Sequence, residues 1–261
     1  MEFSVIVPAL NEENYIEGCL KAISSQTFPR DKYEIIVSDG TSSDRTVAIA
    51  QKYADRLVVS KKKGICWGRN YGAKFAQGKY LVFIDADTRL KEDYLENVHK
   101  YLESGVVGLT MGFEIEHESS TIKILVYIAS CYWWLNSKIG NRRLIGINLC
   151  TPKDVFMEVG GFKEFALEDA ALDKELRKCG KTLFLSQRKV VTSARRLEAY
   201  GVIGICRYYF ELGLLDSGKI KKPYMMWFIK YRQYMPIRKS EIRKMSSVQR
   251  SLDALRNVLK V

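Results

Sequence analysis

Tyr80-Leu-Val-Phe-Ile-Asp85-Ala-Asp87 is a hydrophobic run that stops on two carboxylates. Its first residues are apolar and β-prone, the pattern of a parallel strand buried on both faces. In an extended backbone, residues two apart point the same way, so Asp85 and Asp87 are expected to project together from the strand end. Open α/β sheets bind ligands at the carboxyl ends of their strands. Two hard oxygen donors there can hold a divalent cation against a diphosphate. A plainer reading is a strand followed by an Asx turn, with Asp87 capping the next helix.

The sequence before this run alternates strand and helix. Phe3–Val7, Tyr33–Val37 and Arg56–Val59 read as strands. Asn14–Gln26 carries Tyr15, Ile16, Cys19, Leu20 and Ile23 at a helical period, Thr46–Tyr53 follows the capping residues Thr41-Ser-Ser-Asp44, and Arg69–Ala76 reads as a small-residue helix. Short links between such elements predict a parallel sheet with helices on both faces. Beyond it, Glu92–Leu102, Thr121–Leu135, Asp154–Val159 and Glu168–Cys179 read as helices. Val106–Ile115 and Gly146–Cys150 read as strands, and Lys181–Ser193 as one or two more, with a mixed strand order.

Composition limits the function classes. The chain has 261 residues, 47% hydrophobic and 28% charged, as a folded globular protein has. Its six cysteines are scattered without a Cys-x-x-Cys pair, which argues against a disulfide framework or a zinc site and for a reducing, cytoplasmic setting. Met1-Glu-Phe-Ser-Val-Ile-Val-Pro8 lacks the basic start of a signal peptide. The apolar run from Ile124 to Leu135 is too short to span a bilayer. A formal charge of +12 calls for anionic partners.

Other strand ends carry chemistry as well. The first strand leads into Val7-Pro8-Ala9-Leu10-Asn11-Glu12-Glu13, and the second into Ser38-Asp39-Gly40-Thr41-Ser42-Ser43-Asp44-Arg45-Thr46. An acid at such a place can accept from a ribose hydroxyl or a base N–H, although Asp39-Gly40 also suits a tight turn and Asp44 a helix cap. Gly64-Ile-Cys-Trp-Gly68-Arg69-Asn70-Tyr-Gly72-Ala73 has glycines for close backbone approach and a guanidinium fork. Its spacing is neither a dinucleotide fingerprint nor a P-loop.

With Val159-Gly160-Gly161-Phe162 and with Glu168-Asp169 opening a helix, these segments resemble the family 2 glycosyltransferases of GT-A fold. The motifs stand in the family's order between residues 3 and about 180. The resemblance implies a Rossmann-like, mostly parallel central sheet flanked by helices, and sugar transfer from a nucleotide-sugar donor, with inversion and with Mg²⁺ or Mn²⁺. It implies that Pro8, Leu10 and Glu12 border the nucleoside, that Asp39 contacts the base, and that Arg69 lies beside the nucleotide. Asp85 would touch ribose or the metal shell, and Asp87 would bind the metal at the diphosphate. Asp169 would be the catalytic base, with Glu168 beside it contacting acceptor. Thr192-Ser193-Ala194-Arg195-Arg196 resembles a family ending whose two guanidinium groups hold a phosphate, although a basic surface turn would look the same. No histidine follows His117, so the late histidine ligand of some relatives is missing. A sugar-phosphate nucleotidyltransferase would want a Gly-rich basic first loop, whereas this one is acidic. A non-catalytic nucleotide-sugar or polyanion binder would leave Asp39, Asp85, Asp87 and Asp169 without a purpose.

Residues 1–200 are therefore expected to form the transferase domain, with a donor half over about 1–90 and an acceptor half over about 91–200. Residues 201–261 read as a basic, aromatic, helical extension. Lys219 to Lys244 holds nine Lys or Arg against one acid, Glu241. Tyr224–Tyr234 and Trp133-Trp134 add aromatics of the kind that settle at membrane interfaces. The expected partners are a nucleotide-sugar, a glycan or lipid-linked acceptor, and an anionic membrane surface on the cytoplasmic side, or alternatively a second copy of the chain. Nucleic acid is not expected.

Overall fold

Successive strand residues point to opposite faces, and here each face has its own layer of helices. The computed structural model describes residues 1–62, 64–138, 144–164, 168–199 and 201. Its first half runs β1 (Phe3–Ala9), α1 (Ile16–Ser24), β2 (Tyr33–Asp39), α2 (Thr46–Ala50), β3 (Arg56–Val59), α3 (Ile65–Lys74) and β4 (Tyr80–Ile84). The four strands are parallel, in the order β3-β2-β1-β4. The order reverses between β1 and β4, so the loops after β1, β2 and β4 open around one crevice at their carboxyl ends.

The second half comprises β5 (Thr88–Leu90), α4 (Tyr94–Glu103), β6 (Gly108–Glu116), α5 (Ser120–Lys138), β7 (Asn148–Pro152), α6 (Lys153–Glu158), α7 (Glu168–Cys179) and β8 (Thr182–Ser193). It extends the sheet to β3-β2-β1-β4-β7-β6-β8-β5, with β7 antiparallel to β4 and to β6, and β5 antiparallel to β8. Val5, Ile35 and Val82 pack into one core with α1 and α4, while Ile6, Ile36 and Phe83 pack into another with α3, α6 and α7. The chain thus has a mixed α/β architecture, with one central sheet between helical layers.

Three local outcomes differ from the sequence reading. Asp85 and Asp87 are not on extended backbone: the Thr88 N–H donates to the Asp85 carbonyl at 3.0 Å, closing a turn. That turn leads into the short strand β5 rather than a helix. The third helix begins at Ile65, not Arg69, after Gly64 at φ 123°. Gly68 and Gly72 are poor helix formers, yet a Cβ on Gly72 would lie 2.6 Å from Ile6 Cγ2. Close packing on β1 requires glycine there, and it sets Arg69 in the second turn of α3, against the sheet.

The chain divides into two compact units, Met1–Thr192 and Ser193–Val261. In the second, residues 195–199 are helical. Residues 202–261 lie outside the described residues, and with them the expected helical extension, Lys219–Lys244 and Tyr224–Tyr234. Cys19, Cys66, Cys131, Cys150 and Cys179 are free thiols. Among the described residues, no helix is long and apolar enough to cross a membrane.

Candidate functional site

Arg69 is the hub of the crevice. It is 1% exposed. Its guanidinium donates from one Nη to Asp85 at 2.7 Å and to the Gly146 carbonyl at 2.8 Å, and from the other to Glu168 at 3.1 Å. The Phe162 ring lies 5.0 Å from its Cζ. Nε is buried without a partner. Burial works against the guanidinium charge, but Asp85 and Glu168 outweigh it and hold the pKa above its ordinary value. One side chain thereby joins the end of β4, the lead into β7 and the start of α7.

The acidic pair at the start of α7 divides its tasks. Glu168 faces Arg69. Burial pushes its carboxyl above the usual range; Arg69 opposes that shift, and the Asp169 charge adds to it. Asp169 accepts from the Gly146 N–H at 3.0 Å and from the N–H of Ala170 at 2.8 Å. Gly146 serves both neighbours, its carbonyl taking Arg69 and its N–H giving to Asp169. A Cβ at Gly146 would stand 3.0 Å from an Arg69 Nη.

Asp87 stands half-buried in the turn after β4, with Thr88 Oγ1 at 3.4 Å from one oxygen. Beneath the turn, the Cys19 thiol donates to the Asp85 carbonyl at 3.6 Å. Burial, then the Asp87 and Asp85 charges, push its pKa up, so it remains a thiol. Asp85 and Asp87 offer hard carboxylate oxygens of the kind Mg²⁺ and Mn²⁺ take. Asp85 already has one oxygen on Arg69. The residues present fit a cation that draws most of its other ligands from a bound diphosphate and water.

The β1 and β2 loops form the other wall of the crevice. Asp39 is buried and accepts from the Ser42 N–H at 2.9 Å and the Ser42 hydroxyl at 2.5 Å. Between them, Thr41 sits at φ 69°. That is a strained setting for a β-branched residue, costing on the order of 1–3 kcal/mol. Asn11, at φ 55°, takes the Ser43 N–H at 2.7 Å and gives its own N–H to Ser42 Oγ at 2.9 Å. Glu12 is buried, and its N–H donates to Thr46 Oγ1 at 2.7 Å. Asp44 accepts from the Thr46 N–H at 3.0 Å as a helix-entry brace. Pro8 packs on Gly68, and Leu10 on Gly40.

The structure brings Arg69, Asp85, Glu168 and Asp169 into one cluster. Pro8 near the end of β1, Leu10 and Glu12 on the loop after it, and Asp39 at the end of β2 form the adjoining wall. Arg195 and Arg196 open the helical turn of the second compact unit. Three contributors carried no reading of their own in the sequence. Gly146 offers only backbone groups. Phe162 was visible as part of a Gly-Gly-Phe segment but not as the ring against Arg69. Asn70 clamps that segment from both sides, donating to the Phe162 carbonyl at 2.7 Å and accepting its N–H at 2.9 Å.

The fold defines the class: it is that of solved glycosyltransferases. The mannosyltransferase PcManGT from Pyrobaculum calidifontis, in complex with GDP-Man and Mn²⁺, matches with a TM-score of 0.62 over 97% of this chain and 75% of its own, at 20% identity. TarS of S. aureus, residues 1–349 in complex with UDP, matches with a TM-score of 0.61 over 76% of this chain and 62% of its own, also at 20% identity. In sequence, the glycosyltransferase AglE of Haloferax volcanii is 30% identical over 167 residues, 61% of this chain and 55% of AglE. This chain thus spans about half the length of that relative. The family model of glycosyl transferase family 2 matches residues 4–157. The chain belongs to glycosyl transferase family 2.

Proposed function

We propose that this chain transfers a sugar from a nucleoside-diphosphate sugar to an acceptor hydroxyl or lipid phosphate, with inversion and with Mg²⁺ or Mn²⁺. The observation that carries the reading is the Arg69 hub, which holds Asp85 of the β4 end beside Glu168 and Asp169 of α7. UDP in TarS, and GDP-Man with Mn²⁺ in PcManGT, support the donor class and the ion.

The donor nucleoside lies against the β1 and β2 loops, with Pro8, Leu10 and Glu12 at its border and Asp39 toward the base. Asp87, with Asp85 beside it, would hold the cation, which when bound supplies positive charge against the leaving diphosphate. An acceptor hydroxyl is a poor nucleophile until a carboxylate takes its proton. Asp169 is that base, and Glu168 stands on the acceptor side. The acceptor oxygen bonds to the anomeric carbon as the bond to the diphosphate breaks on the opposite face, and the acceptor's proton passes to Asp169. An anionic lipid phosphate would need little of this help. Arg69 acts through the carboxylates it aligns, because both of its Nη groups are already engaged. Arg195 and Arg196 are assigned to a donor or acceptor phosphate, and residues 1–200 to the transferase domain.

A screen of UDP-, GDP-, ADP- and dTDP-sugars tests the reading through nucleoside-diphosphate release, with Mg²⁺, with Mn²⁺ and with chelator. Release from one donor, dependent on added cation, is expected. No release from any donor would remove the transferase reading. Undiminished release in chelator would remove the metal.

A further inference from the structure

The crevice leaves one conspicuous feature unused, on α5. Ile124 is 57% exposed, Tyr127 45%, Ile128 56% and Leu135 58%. Offsets of three, four and eleven residues place all four on one helical stripe. The helix is 19 residues long, and from Ile124 to Leu135 the stripe runs for about 16 Å at 1.5 Å per residue. It belongs to a helix that lies against β6, within the first compact unit, and it serves no part of the site described above.

The helix that carries this stripe has cations and no acid of its own, although exposed Glu116 and Glu118 stand just before it. Its charged residues are Lys123 and Lys138. Lys123 is exposed on α5. Arg188, exposed on β8, places its guanidinium 4.2 Å from the centre of the Tyr127 ring. A cation held on the face of an exposed aromatic, beside bare aliphatic side chains, is the arrangement that an interfacial helix uses. The ring and aliphatics enter the headgroup–acyl boundary, and the cations remain among anionic headgroups.

We propose that this face of α5 docks on an anionic phospholipid surface through Ile124, Tyr127, Ile128 and Leu135, with Lys123 and Arg188 paired to lipid phosphates. A second copy of the chain suits the face less well. A two-fold contact would set the same patch against itself, bringing cation to cation with no acid on α5 to offset them. The helix lies in the plane of the interface and does not cross it. The proposal stands apart from the transfer reaction and needs no donor or acceptor to be tested.

The test is sedimentation of the full chain with phosphatidylcholine vesicles, with and without phosphatidylglycerol, over a salt series. Wild type is expected to bind the phosphatidylglycerol vesicles and to leave them as salt rises. The variant carrying Ile124→Ser, Ile128→Ser and Leu135→Ser should bind at least about tenfold more weakly, as loss of several buried aliphatic groups requires. Lys123→Gln with Arg188→Gln should reduce the salt-sensitive part alone. All these positions are exposed, so the unfolding midpoint should not move. If the triple variant fails to fold, Ile124→Ser alone should still show a several-fold loss. Wild type remaining in the supernatant at low salt overturns the proposal. So does undiminished binding by the serine variants, which would place binding elsewhere on the chain. A wild-type dimer that the triple variant splits, with no vesicle binding, would make the face a subunit contact and overturn it as well.

Discussion

The end of β2 buries an acid and the hub around Arg69 half-buries two, and they neutralise them by different means. Asp39 is surrounded by uncharged donors, the N–H and hydroxyl of Ser42, three residues away. Asp85 and Glu168 depend on one guanidinium, 16 and 99 residues distant in sequence. Neutral dipoles solvate a carboxylate locally and ask little of the rest of the fold. A shared arginine makes two distant strand and helix ends depend on each other. A buried charge with a lost partner is expensive, whereas a lost neutral hydrogen bond costs far less. The hub is therefore the brittle wall of the crevice, and the β2 loop the robust one.

Removing the hub cation should break this contrast most severely. Arg69→Met would leave Asp85 and Glu168 facing each other without a cation, and should cost about 3–5 kcal/mol of stability. Urea unfolding measures this, and Arg69→Lys should recover part of it. A loss below about 1 kcal/mol, the scale of a surface pair, would mean the hub is no more brittle than an exposed ion pair.

Asp169→Asn isolates chemistry from construction. With a hydroxyl acceptor, turnover should fall roughly a hundredfold or more, while donor affinity from calorimetry stays near wild type. Glu168→Gln should lower turnover less. Near-wild-type turnover in Asp169→Asn would reject the base role and favour an acceptor that is already anionic.

Asp87→Ala should weaken Mn²⁺-dependent donor binding by about tenfold or more, the size of a lost charged contact, with little effect on unfolding. Equal donor titrations with and without Mn²⁺ in wild type would return Asp87 to its turn.

The smallest effect is one of pH. Glu168 has its pKa raised by burial, with Asp169 adding to that shift. The folded state then holds this proton more tightly than the unfolded chain does. The stability it contributes is complete below the ordinary glutamate range and is lost as pH rises through the raised value. Stability measured for wild type minus that for Glu168→Gln should therefore fall between acid and neutral pH, while other carboxylates cancel. A flat difference would show that Arg69 fully offsets the burial.

The two walls also differed in how far they could be read in advance. Alternating strands and periodic helices marked β1 to β4 and their order along the chain, because parallel strands buried on both faces leave continuous apolar runs. The motif acids stood out for the same reason, as each ends such a run or opens a helix. The helix from Glu168 to Cys179 was legible to its ends, whereas α3 was misjudged by a turn, since its glycines lower propensity while serving packing. The short strand β5 had no signal at all: three residues form it only because β8 lies beside them.

Sequence alone determined the family, the strand–helix order of the first half, and which acids lie at strand and helix ends. These are local properties of composition, period and motif. Tertiary structure decided the rest: that Asp85 closes a turn, that Arg69 is buried as the tie between β4 and α7, and that Gly146 serves both Arg69 and Asp169 through its backbone. It also decided which stripe of α5 stays bare. Each of these depends on groups brought together from far along the chain, and a buried charge reveals its partners only once the fold has excluded water around it.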